Sequence, residues 1–146
     1  MQVHPWFQTF YAGTNAYLPP GPVLAKYPEW TNVQYSSLDL SKRAQLKLTP
    51  STLELGAYFL DPANPEVRDF VAKLAEEIVT RYDVDGLQLD YIRYPSSFPT
   101  DRYSYHKTTW GYTPVARAAF KSQHGIDPID LDPKKDTELW QAWNAY

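Results

Sequence analysis

Apolar residues recur at helical spacing along one long stretch of the chain. Val67, Phe70, Val71, Leu74, Ala75, Ile78, Val79 and Tyr82 form one broad face when wound at helical pitch. Asn64 stands where an N-cap belongs. Pro65 takes the first helical position, where its missing N–H is no loss. Glu66 and Asp69 suit the positive N-terminal end, and Arg81 suits the last turn. The pattern predicts a helix over residues 65–82. Asp85-Gly86 then turns the chain into a strand pattern over residues 87–92. There Leu87, Leu89 and Tyr91 should face helices, while Gln88, Asp90 and Ile92 face the other side. A helix returning tightly to a strand is half of a βαβ unit and predicts a parallel sheet. The strand paired with residues 87–92 is either 57–60 or 3–7.

Residues 3–10 alternate like a strand, with Val3, Pro5 and Phe7 set against His4, Trp6 and Gln8. Pro5 belongs near its end or at a bulge, because proline cannot donate to a ladder. From 11 to 56 periodicity is lost, and residues 17–22 are rich in turn formers. A second loop spans 96–112. Thr113 as cap, Pro114 as first residue and Gly125 as stop predict a second helix. Asp127-Pro128 and Asp132-Pro133 punctuate the approach to a last helix over 139–146.

The formal net charge is −3, with 14 basic and 17 acidic residues interspersed. No basic stripe exists for a phosphate backbone, which argues against nucleic acid as a partner. No apolar run approaches the roughly 20 residues of a membrane span. Without cysteine there are no disulfides or thiolate metal sites. No His/Asp/Glu grouping has metal-ligand spacing, so neither a metal nor a cofactor is expected. Aromatic residues make up 16% of the chain. They suit flat stacking surfaces for sugars or peptides and equally suit packing under long irregular loops. A complete eight-stranded barrel needs about 250 residues. The 146 residues open on a strand pattern and stop within a helical one, which reads as an excerpt of a larger barrel.

Asp90 and Arg93 arrive at the end of a strand that follows a helix, where parallel α/β barrels keep their chemistry. Arg93 could hold Asp90 ionised, grip a substrate group, or form a rim ion pair. His4 and Trp6 share a face. Trp6 could stack on a sugar ring and His4 could bond a hydroxyl, or both could simply fill the interior. Gln88 shares the face of Asp90 and joins these substrate-binding candidates. Asp61, Asn64, Asp83 and Asp85 read as caps and turn formers. Trp30, Tyr103, Tyr105 and Trp110 lie in the two long loops and are candidates for lining a cleft.

Several motifs occur together in order. They are Val3-His4-Pro5-Trp6-Phe7, then Asp61-Pro62-Ala63-Asn64-Pro65-Glu66-Val67-Arg68, then residues 83–95 from Asp83-Val84-Asp85-Gly86 to Arg93-Tyr94-Pro95. Gly111-Tyr112-Thr113-Pro114 and His124-Gly125-Ile126-Asp127-Pro128 follow. Outside residues 19–52, the chain resembles the bacterial glycosyl-hydrolase-like family ten, which are (β/α)8-barrel glycosidases. The resemblance implies an α/β chain holding part of a (β/α)8 TIM barrel, roughly its third and fourth βα units, in a single incomplete domain over 1–146. It implies a carbohydrate substrate, a polysaccharide or cell-wall glycan, and an extracytoplasmic or secreted setting. It makes Asp90 the nucleophile or another catalytic carboxylate, since an oxocarbenium-like transition state calls for a fixed anion. A second carboxyl group is needed about 5–5.5 Å away for retention or about 6.5–9.5 Å for inversion. No residue here is an obvious candidate, so the chain alone is expected to be inactive. The alternatives are a non-catalytic carbohydrate-binding module and a half-barrel that closes its sheet by self-association.

Overall fold

A computed structural model of the chain describes residues 1–14, 21–36, 48–50, 57–94 and 108–146. Strands β1 (Trp6–Gln8) and β6 (Gln88–Asp90) pair in parallel, with Trp6 opposite Gln88, Phe7 opposite Leu89 and Gln8 opposite Asp90. Backbone bonds carry the pairing beyond both strands: Asp85 N–H to Val3 O (2.9 Å), Gln88 N–H to Pro5 O (2.9 Å) and Thr9 N–H to Asp90 O (2.8 Å). Pro5 sits just ahead of β1 and contributes only its carbonyl, so no ladder bond is lost. Asp85 does more than turn the chain, because its carboxylate also accepts from Val3 N–H at 2.7 Å.

The partner of β6 is therefore the N-terminal strand, the second of the two alternatives. The strand just before the long helix, β5 (Ala57–Phe59), pairs antiparallel with β2 (Tyr11–Thr14). A third sheet places β3 (Val33–Ser36) between β4 (Leu48–Pro50) and β7 (Thr108–Trp110), both antiparallel to it. Among the described residues the architecture is mixed helix and strand in three small sheets, which do not close a barrel. The stretches read as irregular thus contain β2, β3, β4 and β7, together with α1 (Pro22–Lys26) and a 3-10 turn over Pro28–Trp30. Elements of three to five residues are too short to show a periodicity.

The helices follow their start and stop signals. Helix α2 (Pro65–Arg81) begins with Asn64 Oδ1 accepting from Glu66 N–H at 2.9 Å. Helix α3 (Pro114–His124) is capped by the Thr113 hydroxyl and closed by Gly125 at φ 77°, a left-handed position that glycine takes without a Cβ penalty. Helix α4 spans Thr137–Ala145.

Two cores among the described residues hold these elements. One gathers Tyr112, Ala116, Phe120, Leu131 and Trp143 where α3 meets α4. The second joins Leu24, Trp30, Leu60 and Val67 at the start of α2. The remainder of the α2 face is poorly covered: Val67 is its only fully buried residue, and Val79 and Tyr82 are 50% and 62% exposed. The sheet side is no better covered. Leu89, expected to pack on helices, is 46% exposed. Tyr91 also departs from the expected alternation, because its φ of 50° breaks the pleat directly after β6.

Candidate functional site

Asp90 closes β6 at the C-terminal end of the parallel pair. Trp6 lies one pleat repeat away on the facing strand, so its indole reaches along the sheet and Nε1–H donates to Asp90 Oδ2 at 2.8 Å. The other carboxylate oxygen, Oδ1, accepts from the backbone N–H of Tyr91 at 2.8 Å. Each oxygen thus has one fixed donor, and a carboxylate with about four acceptor positions keeps others for a ligand.

Tyr91 stands at the centre of an aromatic cluster. Its ring lies 5.4 Å from Tyr11 and 5.8 Å from Phe59, centroid to centroid, and Tyr11 meets Phe59 edge-on at 5.9 Å. Arg93 lays its guanidinium 5.1 Å from the Tyr91 ring centre and 5.8 Å from that of Phe59, and donates to Tyr94 O. A left-handed backbone at a non-glycine residue costs about 1–3 kcal/mol and persists only where its surroundings over-determine it. The ring contacts supply that constraint. Sequence reasoning gave Tyr91 no part in the site; its only signal was its place beside Asp90.

The other residues singled out from the sequence scatter. Gln88 is exposed and sits opposite Trp6. His4 lies against Gly86 in the turn before β6, at the opposite end of the strand from Asp90, and a Cβ at Gly86 would come within 2.6 Å of His4 Nδ1. Trp30 does not line a cleft. It is buried, stacked on Tyr27 at 4.2 Å, with Nε1–H donating to Glu66. Trp110 is half-buried, while Tyr103 and Tyr105 lie outside the described residues.

A buried polar knot, missed in the sequence beyond its turn-forming and capping roles, ties the residue after β5 to the start of α3. Asp61 is wholly buried. Its Oδ1 accepts from Ala63 N–H at 3.0 Å, and Oδ2 accepts from the Thr113 hydroxyl, which also caps α3. Burial pushes the Asp61 carboxyl above its ordinary range, and the Thr113 hydroxyl, the Ala63 N–H and the Arg68 charge only partly oppose it. Asn32, also wholly buried, accepts from Gly111 N–H at 3.0 Å, and its amide nitrogen has no partner among the described residues. The Tyr94 hydroxyl abuts Gly111. Burial first, then the nearby Asp61 and Tyr146, push this phenol up to about 12. Among the described residues, no three His, Asp or Glu side chains are grouped to hold a metal ion. No described helix is long and apolar enough to cross a membrane.

Comparison with known proteins bears on what this geometry is for. The chain is 30% identical over 110 residues to glycosyl hydrolase DigH of Escherichia coli K12, a match covering 73% of this chain and 23% of that protein. DigH of Shigella flexneri matches equally. An S-layer-related protein of Niallia circulans is 38% identical over 73 residues, 49% of this chain and 4% of the relative. The chain therefore spans less than a quarter of the length of these curated relatives. No solved structure matches it. The family model for glycosyl hydrolase-like 10 matches residues 1–145, and the chain belongs to that family.

Proposed function

We propose that the chain is the Asp90-bearing part of a glycoside hydrolase barrel, roughly its third and fourth βα units, acting on O-glycosidic bonds of a polysaccharide or cell-wall glycan. The observation that carries this reading is a carboxylate held by two fixed donors at the C-terminal end of a parallel strand pair, within a glycosyl hydrolase-like chain. Asp90 supplies the anion that an oxocarbenium-like transition state requires, as nucleophile or electrostatic partner. Gln88, exposed on β6, and Arg93, three residues beyond Asp90, are the candidate sugar-binding groups, while Trp6 contacts Asp90 itself. His4, at the other end of the strand pair, takes no part. The second carboxyl group comes from outside these residues. The half-covered apolar faces of α2 and β6 support a larger barrel, since further strand–helix units would bury them.

The test is release of reducing ends from purified bacterial cell-wall glycan by the full-length protein. Asp90→Asn should lower turnover by a factor of a thousand or more, on the order of 4 kcal/mol of transition-state stabilisation. The 146-residue chain by itself should release none. Full turnover by Asp90→Asn would sink the catalytic role of Asp90. The same exposed apolar residues also favour a second reading, a half-barrel that self-associates to close its sheet. A native mass that stays monomeric across concentration would dismiss it.

A further inference from the structure

Resting on the reading of Asp90 as the catalytic carboxylate, we propose that Trp6 and Tyr91 are positioning residues that clamp it, one donor per oxygen. The sequence offers Trp6 as a stacking platform for a sugar, and the geometry points to a different task. Its indole N–H is spent on Asp90 Oδ2 at 2.8 Å, although the residue is 58% exposed to water. An exposed indole can satisfy its N–H with water, so a charge-assisted bond across two strands marks a preferred orientation.

The second jaw is the Tyr91 N–H on Oδ1. This donor is carried by a residue whose backbone is left-handed although it bears a bulky side chain. Strain of this kind relaxes unless something holds it. Here Tyr11 and Phe59 hold the Tyr91 ring, and Arg93 covers it. Wedging the ring fixes the residue, and with it the peptide whose N–H meets Asp90. The strand partners reinforce the arrangement, because Thr9 N–H holds the Asp90 carbonyl at 2.8 Å. Asp90 is therefore constrained at both carboxylate oxygens and at its carbonyl. A nucleophile or transition-state anion benefits from such constraint, since donors and acceptors already in place need no reorganisation during reaction.

The experiment separates clamp from platform in the full-length protein, with purified bacterial cell-wall glycan as probe. Trp6→Phe keeps a flat ring and removes the donor. It should lower kcat roughly ten- to hundredfold with KM unchanged, as expected for one hydrogen bond to a charged group. Tyr91→Val and Tyr91→Asn both lose the ring, but asparagine tolerates the left-handed backbone and valine does not. Tyr91→Asn should therefore retain more kcat than Tyr91→Val. A raised KM with intact kcat in Trp6→Phe would make Trp6 a stacking platform and overturn the clamp. If Asp90→Asn also keeps full turnover, the fault lies in the catalytic reading itself. The clamp is readable without turnover, from the Trp6 indole N–H resonance of the 15N-tryptophan-labelled full-length protein. That resonance should shift in Asp90→Ala and stay in place in the control Val79→Ala. An unmoved indole resonance in Asp90→Ala would refute the clamp, whatever the kinetics.

Discussion

The packing where α3 meets α4 and the strand end at Asp90 are built on opposite terms. Phe120 itself is wholly buried. Its ring meets Trp143 at 5.1 Å and His124 at 4.2 Å, and Tyr112 meets Trp143 at 5.1 Å. Arg117 grips Asp127 with two parallel bonds, 2.9 and 2.6 Å, and Asp127 caps the turn over Pro128–Asp130. At the strand end, by contrast, Trp6, Leu89 and Ile92 face outward and the backbone at Tyr91 is strained. One region spends its residues on burial and satisfied caps. The other leaves apolar surface open and holds a carboxylate in a fixed pose. Burial is thus concentrated away from Asp90, and the strained backbone lies beside it.

That contrast predicts unequal responses to truncation. Phe120→Ala should destabilise by about 3–5 kcal/mol, because it empties a site enclosed by three other aromatic rings. Leu89→Ala should cost less than about 1 kcal/mol, since half of that side chain already meets water. Urea midpoints of the two variants measure the difference. Equal losses would break the contrast and mean that the β6 face is covered in solution.

A smaller effect probes the buried knot at the start of α3. Thr113→Val keeps the shape of the side chain but removes the α3 cap and the donor to Asp61. It should cost about 2–3 kcal/mol, combining a lost cap with a buried acceptor left unpaired. Thermal unfolding of this variant beside Thr113→Ser would sharpen the assignment, because serine restores the hydroxyl and should recover most of the loss.

The smallest effects concern pH. Burial raises the Asp61 carboxyl in the folded state above the ordinary 3.8, so the folded protein holds this proton more tightly than the unfolded chain. Its contribution is present in full below 3.8 and is lost as pH rises through the raised folded value. Asp127 behaves oppositely. Burial would raise it, but the Arg117 bonds and charge, the Ile129 N–H and the Lys121 charge outweigh that and lower it. Its contribution is present above 3.8 and fades as pH falls through the lowered folded value. Urea midpoints from pH 3 to 8 should show Asp61→Asn flattening the loss above 3.8 and Asp127→Asn flattening the loss below it. Profiles that match wild type in both variants would contradict both placements.

Legibility in the sequence followed element length. Helices α2 and α3 were readable with their caps, because each carries several turns of apolar periodicity and a local start signal at Asn64 or Thr113. The strand at Asp90, itself only three residues long, was readable because a long helix and a turn lead directly into it. The short strands of the loops were not, since three or four residues carry no period. Trp30 looked like a cleft residue because it lies in a long loop without periodicity, and only packing on Tyr27 and Val67 revealed a core residue.

By itself, then, the sequence determined what is local: the helix caps, the turn at Asp85-Gly86, the arrival of Asp90 at a strand end, and the motifs that mark the family. Tertiary structure decided everything that depends on which strands meet. It paired β6 with the N-terminal strand instead of β5, brought the Trp6 indole to a carboxylate far away in sequence, and joined Asp61 to Thr113. It also set Tyr91 in a conformation no local preference would choose. The reason is energetic. Caps and turns are short-range bonds whose partners are fixed by spacing, whereas strand pairing and burial are chosen by competition among distant surfaces.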